Sequence, residues 1–445
     1  MRQTFHHSVL PSAAIRDILI ERIDVQKQSV GIVVGVAESG GCRIVPYGKV
    51  AKDGGPEPDG TSMFEIGSTT KVFTALLLAD MVCRGEVALS DPAARYLPGR
   101  VRMPQYGNRQ ITLLDLANHT SGLPRLPSNL KPRDLANPYA DYSVEQLYDF
   151  LSSYELTREA GSRYEYSNLG AGLLGHILGR HAGMDYESLV RLRICEPLSM
   201  DSTRITLSPE MQRRAATGHD SALNPVPRWD VPTLAGAGAL RATADDLIVF
   251  LSATLGLTDS PLSEAMSLLT TVRRPTGTTG LDIGLGWHIS SHQGAEVMWH
   301  NGGTGGFRSY MGYDMKNRVG IVALSNASTS TGVDDIARHL LCPEMPLAQP
   351  PNERKEVRVD PVVFDRHAGR YELAPNFIIA VTREGQRFFV QATGQPKLEV
   401  FAESEREYFL KAVNAQVTFH VNGAGQTVGM TLHQNGRDRE GRRID

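Results

Sequence analysis

Gly67-Ser68-Thr69-Thr70-Lys71, followed by Val72-Phe73-Thr74-Ala75-Leu76-Leu77-Leu78-Ala79-Asp80-Met81-Val82, is the stretch on which the fold of this chain turns. Glycine at position 67 permits a sharp backbone turn that a side chain would obstruct. The run after it carries no breaker for about four turns at 3.6 residues each, which predicts a helix. Its apolar residues leave almost no polar face, so burial on all sides is expected. Ser68 and Lys71 stand three apart, which sets hydroxyl and amine on one face of the first turn. A serine is a poor nucleophile until a base lies beside it. An amine in a dry, positively biased site loses its proton near neutral pH and can be that base. The helix N-terminus also favours the negative charge that develops in acyl transfer. The plainer reading of Ser-x-x-Lys is an N-capping serine and a surface lysine. The buried helix argues instead for a lysine pointing into a cleft.

Two further stretches bear on that choice. In Tyr164-Glu165-Tyr166-Ser167-Asn168, Tyr166 and Asn168 are two apart in an extended segment and can point the same way. A phenol ionises near pH 10 and needs a positive neighbour to act as a base near pH 7, and Lys71 is expected to supply it. The Asn168 carboxamide can bond both the lysine and a substrate amide. In Trp299-His300-Asn301-Gly302-Gly303-Thr304-Gly305-Gly306-Phe307, the glycines let a substrate approach the backbone closely. A backbone N–H there, opposite that of Ser68, would complete an oxyanion hole. Taken singly, Tyr-x-Asn is also a turn with a packed aromatic, and the glycine-rich stretch is also a plain loop.

The chain has 445 residues, too many for one ordinary core, so two or more domains are expected. Its formal net charge of −3 implies no broad basic field and no nucleic-acid partner. The four cysteines, Cys42, Cys83, Cys195 and Cys342, lack any paired metal-type spacing and read as reduced and structural. His176 and His181 are five apart, which is not one helix face, so no metal or other cofactor is expected. No segment approaches the roughly 18 apolar residues of a membrane span. The short, proline-broken run from Val9 to Ile15 does not read as a signal peptide, and the cytoplasm is the expected address.

Along the chain, Ser12 to Lys27 has helical spacing with Ser12 as its expected cap, and Ser29–Ala37 with Cys42–Val50 reads as a hairpin. Residues 85 to 280 read mostly as helices and loops. Among them is the turn His119-Thr120-Ser121-Gly122-Leu123-Pro124, where His119 reads better as a hydrogen-bonded tie than as a base. Thr243 is the expected cap of the helix beginning Ala244-Asp245-Asp246, with Asp246 at the capping-box position. Strand patterns return at Gly284–Ile289, Glu296–His300, Ser309–Asp314 and Val319–Asn326. The expected class is α+β: an antiparallel sheet flanked by helices as an αβα sandwich, with a large helical insertion. Residues 1–348 form that domain, 349–360 a proline-rich linker, and 361–445 a small antiparallel β-barrel or sandwich of seven short runs.

In this order, the three motifs resemble those of the serine β-lactamase and penicillin-binding superfamily. They are most similar to its class C β-lactamase-like group, which includes D-aminopeptidases, DD-peptidases, esterases and transacylases. The turn at 119–124 and the helix start at Thr243 are similar too, and the C-terminal segment resembles an appended lipocalin-like barrel. The resemblance implies Ser68 as the nucleophile of a covalent acyl-enzyme, with Lys71 and Tyr166 sharing the base and acid work. It further implies substrate binding by Asn168, His300, Asn301, Gly302 and Gly303. His300-Asn301-Gly302 stands where the family carries Lys-Thr-Gly. A lysine attracts a substrate carboxylate at all relevant pH values, whereas histidine is charged only below about pH 6.5. β-Lactam hydrolysis loses weight accordingly, and a small-molecule or short-peptide substrate gains it. The implied activity is a serine hydrolase, foremost a peptidase for D-residue or unusual peptides. The alternatives are a carboxylesterase or transacylase, a weak β-lactamase or DD-carboxypeptidase, and a slow-acylating sensor. The barrel caps the domain, supports a homo-oligomer, or lends a loop to the cleft.

Overall fold

The computed structural model describes residues 9–292, 295–349, 354–374, 377–393, 397–411, 415–434 and 437–445. The chain divides into two compact units, Met1–Ala348 and Gln349–Asp445. In the first, helix α1 (Ser12–Ile20) leads to the hairpin β1 (Gly31–Glu38) and β2 (Gly41–Gly48). Helix α2 (Thr70–Cys83) follows the Gly67–Thr69 turn, and α3 (Asn168–Ala182) and α4 (Ala244–Thr254) belong to the long helical insertion. The chain then returns to the sheet through β3 (Arg274–Pro275), β4 (Leu281–Ile283), β5 (His288–His292), β6 (Ala295–Gly303), β7 (Arg308–Asp314) and β8 (Val319–Ser325), and closes with helix α5 (Asp334–Leu341). The strands form one antiparallel eight-stranded sheet in the order β2-β1-β8-β7-β6-β5-β4-β3.

Burial explains why β1 reads as a continuous apolar run. Val33 and Ala37 face the large core shared with α2 and α4, while Ile32, Val34 and Val36 face the smaller core under α1 and α5. A strand covered on both faces has no polar side. At roughly 25 cal/mol per Å², such burial is the main term holding the three layers together. Helix α2 is wholly buried from Thr70 to Met81, as its missing polar face requires.

The second unit is a closed antiparallel barrel of β9 (Gly369–Ala374), β10 (Phe377–Glu384), β11 (Arg387–Ala392), β12 (Leu398–Ala402), β13 (Glu407–Leu410), β14 (Ala415–Val421), β15 (Thr427–Gln434) and β16 (Arg437–Arg443). Its interior is filled by side chains such as Tyr371, Tyr408, Phe419 and Met430. The short helix Pro361–Asp365 adds Phe364, stacked on Phe388 at 3.9 Å.

Several local expectations need correction. Pro11, not Ser12, stands at the cap of α1. Thr243 caps α4 as expected, accepting from the Asp246 amide, but the Asp246 carboxylate accepts from Ser202 and Thr203 instead of closing a capping box. Strand β5 begins at His288, because Gly284–Trp287 is a turn in which Gly286 (φ +70°) lies against the Lys71 carbonyl. The eighth barrel strand, Arg437–Arg443, has no strand-like composition. It pairs with β15 and closes the barrel through Tyr371 and Glu372 of β9. Within the 349–360 stretch, residues 350–353 lie outside the described residues. All four cysteines are unpaired; Cys195 is buried, Cys342 intermediate, and Cys42 and Cys83 are exposed. Among the described residues no helix is long and apolar enough to cross a membrane.

Candidate active site

Gly67 adopts φ +47°, a conformation that disfavours side chains, and a Cβ on it would lie 2.7 Å from the Gly303 nitrogen. The missing side chain therefore lets the Ser68 turn sit directly on the end of β6. A Cβ on Gly302 would collide with the Ile66 carbonyl oxygen. Ser309 of β7 clamps the same contact, donating to the Ile66 carbonyl at 2.7 Å while lying 3.0 Å from the Thr69 hydroxyl. Ser68 and Gly303 thus share one cleft, opposite Ala237, Asn168 and the aromatic pair Tyr139 and Trp229 (ring centroids 5.4 Å apart).

Lys71 is 2% exposed. Its Nζ donates to Ser68 Oγ at 2.9 Å and to the Ala237 carbonyl at 2.7 Å. Among the described residues no carboxylate pairs with it, and burial, aided by the Arg125 charge, holds its pKa well below the usual 10.5. Burial thus favours the neutral form of the amine that lies against Ser68. The Tyr166 ring lies 4.8 Å from Lys71 Nζ, with its phenol near Ser68. Here the expected phenol pKa is overturned. Burial pushes Tyr166 up to about 12, against the smaller downward pulls of Ser68 and Arg125. At that value Tyr166 remains a proton donor through the neutral range.

The 119–124 turn positions Tyr166. His119 (φ +60°) accepts from the Ser167 amide at its Nδ1 (3.2 Å), and its carbonyl accepts from Glu165 at 2.8 Å. Its ring packs on Tyr166 at 4.5 Å, as suits a tie. Ser167 donates to the Pro124 carbonyl and accepts from Gly170, which caps α3 and fixes Asn168 as its first residue. The Asn168 side chain lies beside Tyr139, and the Lys71 donors go to Ser68 and Ala237 and not to Asn168. Asn168 Oδ1 is left buried without a partner, beside the cleft.

The third motif divides. His300 is wholly buried and lies beside the rings of Tyr166 (6.1 Å) and His288 (5.2 Å). Burial, with the nearby His288 and Lys71, holds its pKa well below 6.5, so it is neutral throughout the neutral range, as a histidine in place of the family's lysine predicts above pH 6.5. Asn301 is turned away from Ser68, because alternate side chains of a strand face opposite sides. Its amide donates to Asp334 of α5 at 2.5 Å, on the face of β6 away from Ser68. Sequence reading missed Tyr164, whose hydroxyl lies 3.0 Å from His288 Nε2, and Ala237, Tyr139 and Trp229 of the cleft wall. Only the Tyr-Glu-Tyr spacing signals Tyr164; the others come from loops with no motif.

A buried lysine on a serine, backed by a phenol and held beneath an antiparallel sheet, defines a serine hydrolase of the Ser-Lys-Tyr kind. The chain belongs to the Beta-lactamase family, whose model matches residues 16–341, and residues 353–443 match a Domain of unknown function (DUF3471). It is 28% identical over 408 residues to Penicillin-binding protein 4* of Bacillus subtilis (strain 168), covering 85% of this chain and 87% of that protein. It is 29% identical over 315 residues to the D-alanyl-D-alanine-carboxypeptidase/endopeptidase AmpH of Escherichia coli (strain K12), covering 66% and 80%. Among solved structures, the Beta-lactamase/D-alanine Carboxypeptidase from Yersinia pestis aligns with a TM-score of 0.65 and 26% identity, over 74% of this chain and 96% of that one.

Proposed function

We propose that this serine hydrolase is a peptidase acting on short peptides with a D- or otherwise unusual residue, through an acyl-enzyme on Ser68. The observation that carries the reading is the 2.9 Å contact between a wholly buried, carboxylate-free lysine amine and Ser68 Oγ. Lys71 takes the hydroxyl proton as Ser68 Oγ attacks the scissile carbonyl. Tyr166, protonated to about pH 12, gives a proton to the leaving nitrogen as the bond to carbon breaks. Water then attacks the ester carbon and gives a proton to the Tyr166 phenolate, while Lys71 returns its proton to Ser68 Oγ as the bond to carbon breaks, which releases the acid and restores all three groups. The Ser68 and Gly303 amides, side by side at the cleft, are suited to hold the oxyanion. The unpartnered Asn168 oxygen is suited to accept from a substrate amide N–H.

The names of the carboxypeptidase relatives support the peptidase reading. A second reading, carboxylesterase, is favoured by one observation: among the described residues no charged side chain lines the cleft at Ser68, and Tyr139, Trp229 and Val231 form much of its wall beside Asn168 and Thr304. We place the protein in a reducing compartment, consistent with four unpaired cysteines, and take residues 361–445 as a capping module. The experiment is labelling with a fluorophosphonate or penicillin, alongside turnover of D-amino acid p-nitroanilides, p-nitrophenyl butyrate and nitrocefin. The label is expected at Ser68, with Ser68→Ala devoid of turnover. A label elsewhere, or turnover that survives Ser68→Ala, defeats the assignment. Faster turnover of the butyrate than of any anilide selects the esterase.

A further inference from the structure

Behind the sheet, away from Ser68, lies a second cavity of about 380 Å³. That is within the roughly 300–1,000 Å³ of small-molecule sites. Apolar side chains, Leu281, Val297, Leu341, Met345 and the Trp299 ring, make up much of its lining, beside the hydroxyls of Thr278, Thr279 and Ser290. Tyr310 and Arg338 line it as well. Tyr310 is wholly buried, and its hydroxyl has no hydrogen-bond partner among the described residues; the Arg338 guanidinium lies 6.0 Å from its ring, with Asp334 and Cys342 also nearby. A buried hydroxyl without a partner is costly, which makes it a place for a ligand acceptor. Arg338 lies over Trp299 at 4.6 Å and, among the described residues, makes no ion pair. Its nearest acid, Asp334, is one helical turn away and is hydrogen-bonded to Asn301. The Cys342 thiol, pushed up to about 11 by burial, adds no negative charge, and Tyr310, raised by burial, remains a donor.

We propose that this cavity is a second, non-hydrolytic binding site for a small apolar carboxylate, its acid group held by Arg338 and Tyr310 and its body by Leu281, Val297, Leu341 and Trp299. One charged donor and one buried neutral donor beside apolar side chains match a compact aromatic or aliphatic acid, and the guanidinium does not match a cation. The site is separate from the cleft, since none of these side chains lines it.

The test uses the full chain and 4-phenylbutyrate, followed by calorimetry and by Trp299 fluorescence. One saturable site is expected, with 4-phenylbutanamide at least tenfold weaker. Arg338→Gln should weaken the acid tenfold or more while leaving the amide unchanged. Leu281→Trp, which fills the cavity, should abolish both, and Trp229→Ala in the cleft should alter neither. Thermal melting of each variant separates lost binding from lost folding, and the two cavity variants act through different walls. Absence of saturable binding, equal affinity for acid and amide, or loss in Trp229→Ala instead of Arg338→Gln would overturn the proposal.

Discussion

Replacing Lys71 with methionine should inactivate the enzyme and stabilise it at the same time. Methionine fills similar space in the wholly buried site but has no lone pair for the Ser68 proton. Loss of a positioned base costs about 10²–10⁴-fold in rate, or roughly 3–5 kcal/mol of transition-state stabilisation. The stability effect has the opposite sign. Burial holds the folded-state pKa of Lys71 well below 10.5, while the unfolded chain keeps the ordinary value. Between those two pKa values the unfolded state binds one more proton than the folded state, so stability rises with pH there. The penalty is greatest at low pH, shrinks by up to about 1.4 kcal/mol per pH unit, and is gone above about pH 10.5. Lys71→Met removes it. The variant should exceed the parent most at neutral pH, and the gap should narrow steadily toward pH 10. Guanidinium unfolding at pH 7, 8, 9 and 10 measures this. Intrinsic fluorescence reports the hydrolase unit alone, because the three tryptophans, Trp229, Trp287 and Trp299, all lie in it. A gap that does not change with pH would mean that Lys71 is charged in the fold, and the neutral-base mechanism would be lost.

The remaining expectations concern the rest of the site and its frame. The pH profile of kcat/KM should rise once, as Lys71 deprotonates, show no inflection from His300, and hold its plateau to about pH 11, since Tyr166 ionises near 12; a fall between pH 8 and 10 would show an ionised phenol to be incompatible with turnover at a much lower pH. Tyr166→Phe should slow turnover about 10²–10⁴-fold with folding intact by circular dichroism; near-normal turnover would remove the phenol from the proton path. Gly302→Ala sets a Cβ against the Ile66 carbonyl, so a loss of about 1–3 kcal/mol in unfolding and a marked drop in kcat are expected together. Asp335→Ala strips the buried Arg22 (2% exposed) of its ion pair at 2.5 Å and should cost about 3–5 kcal/mol in denaturant unfolding, with kcat preserved in the folded fraction.

How far residues speak for themselves differs from place to place. The Ser68–Lys71 pair was legible because three-residue spacing on a first turn fixes neighbours through local geometry, whatever lies around it. The β1–β2 hairpin and seven barrel strands were legible from alternation and turn residues. The eighth, Arg437–Arg443, was not: its place comes from the two strands beside it, not from its own propensity. The role of Gly302 was legible only as a glycine in a motif, since the obstacle that requires it, Ile66, is far away in sequence.

Sequence by itself determined which groups could do chemistry and which stretches form helices and strands, because spacing and side-chain identity are local properties of the chain. Tertiary structure alone decided protonation and direction. Lys71, Tyr166 and His300 are pushed toward their neutral forms because distant segments take water away from them, and desolvation is a sum over everything packed nearby. Asn301 belongs to Asp334 because the face of a strand acquires meaning only when another layer covers it.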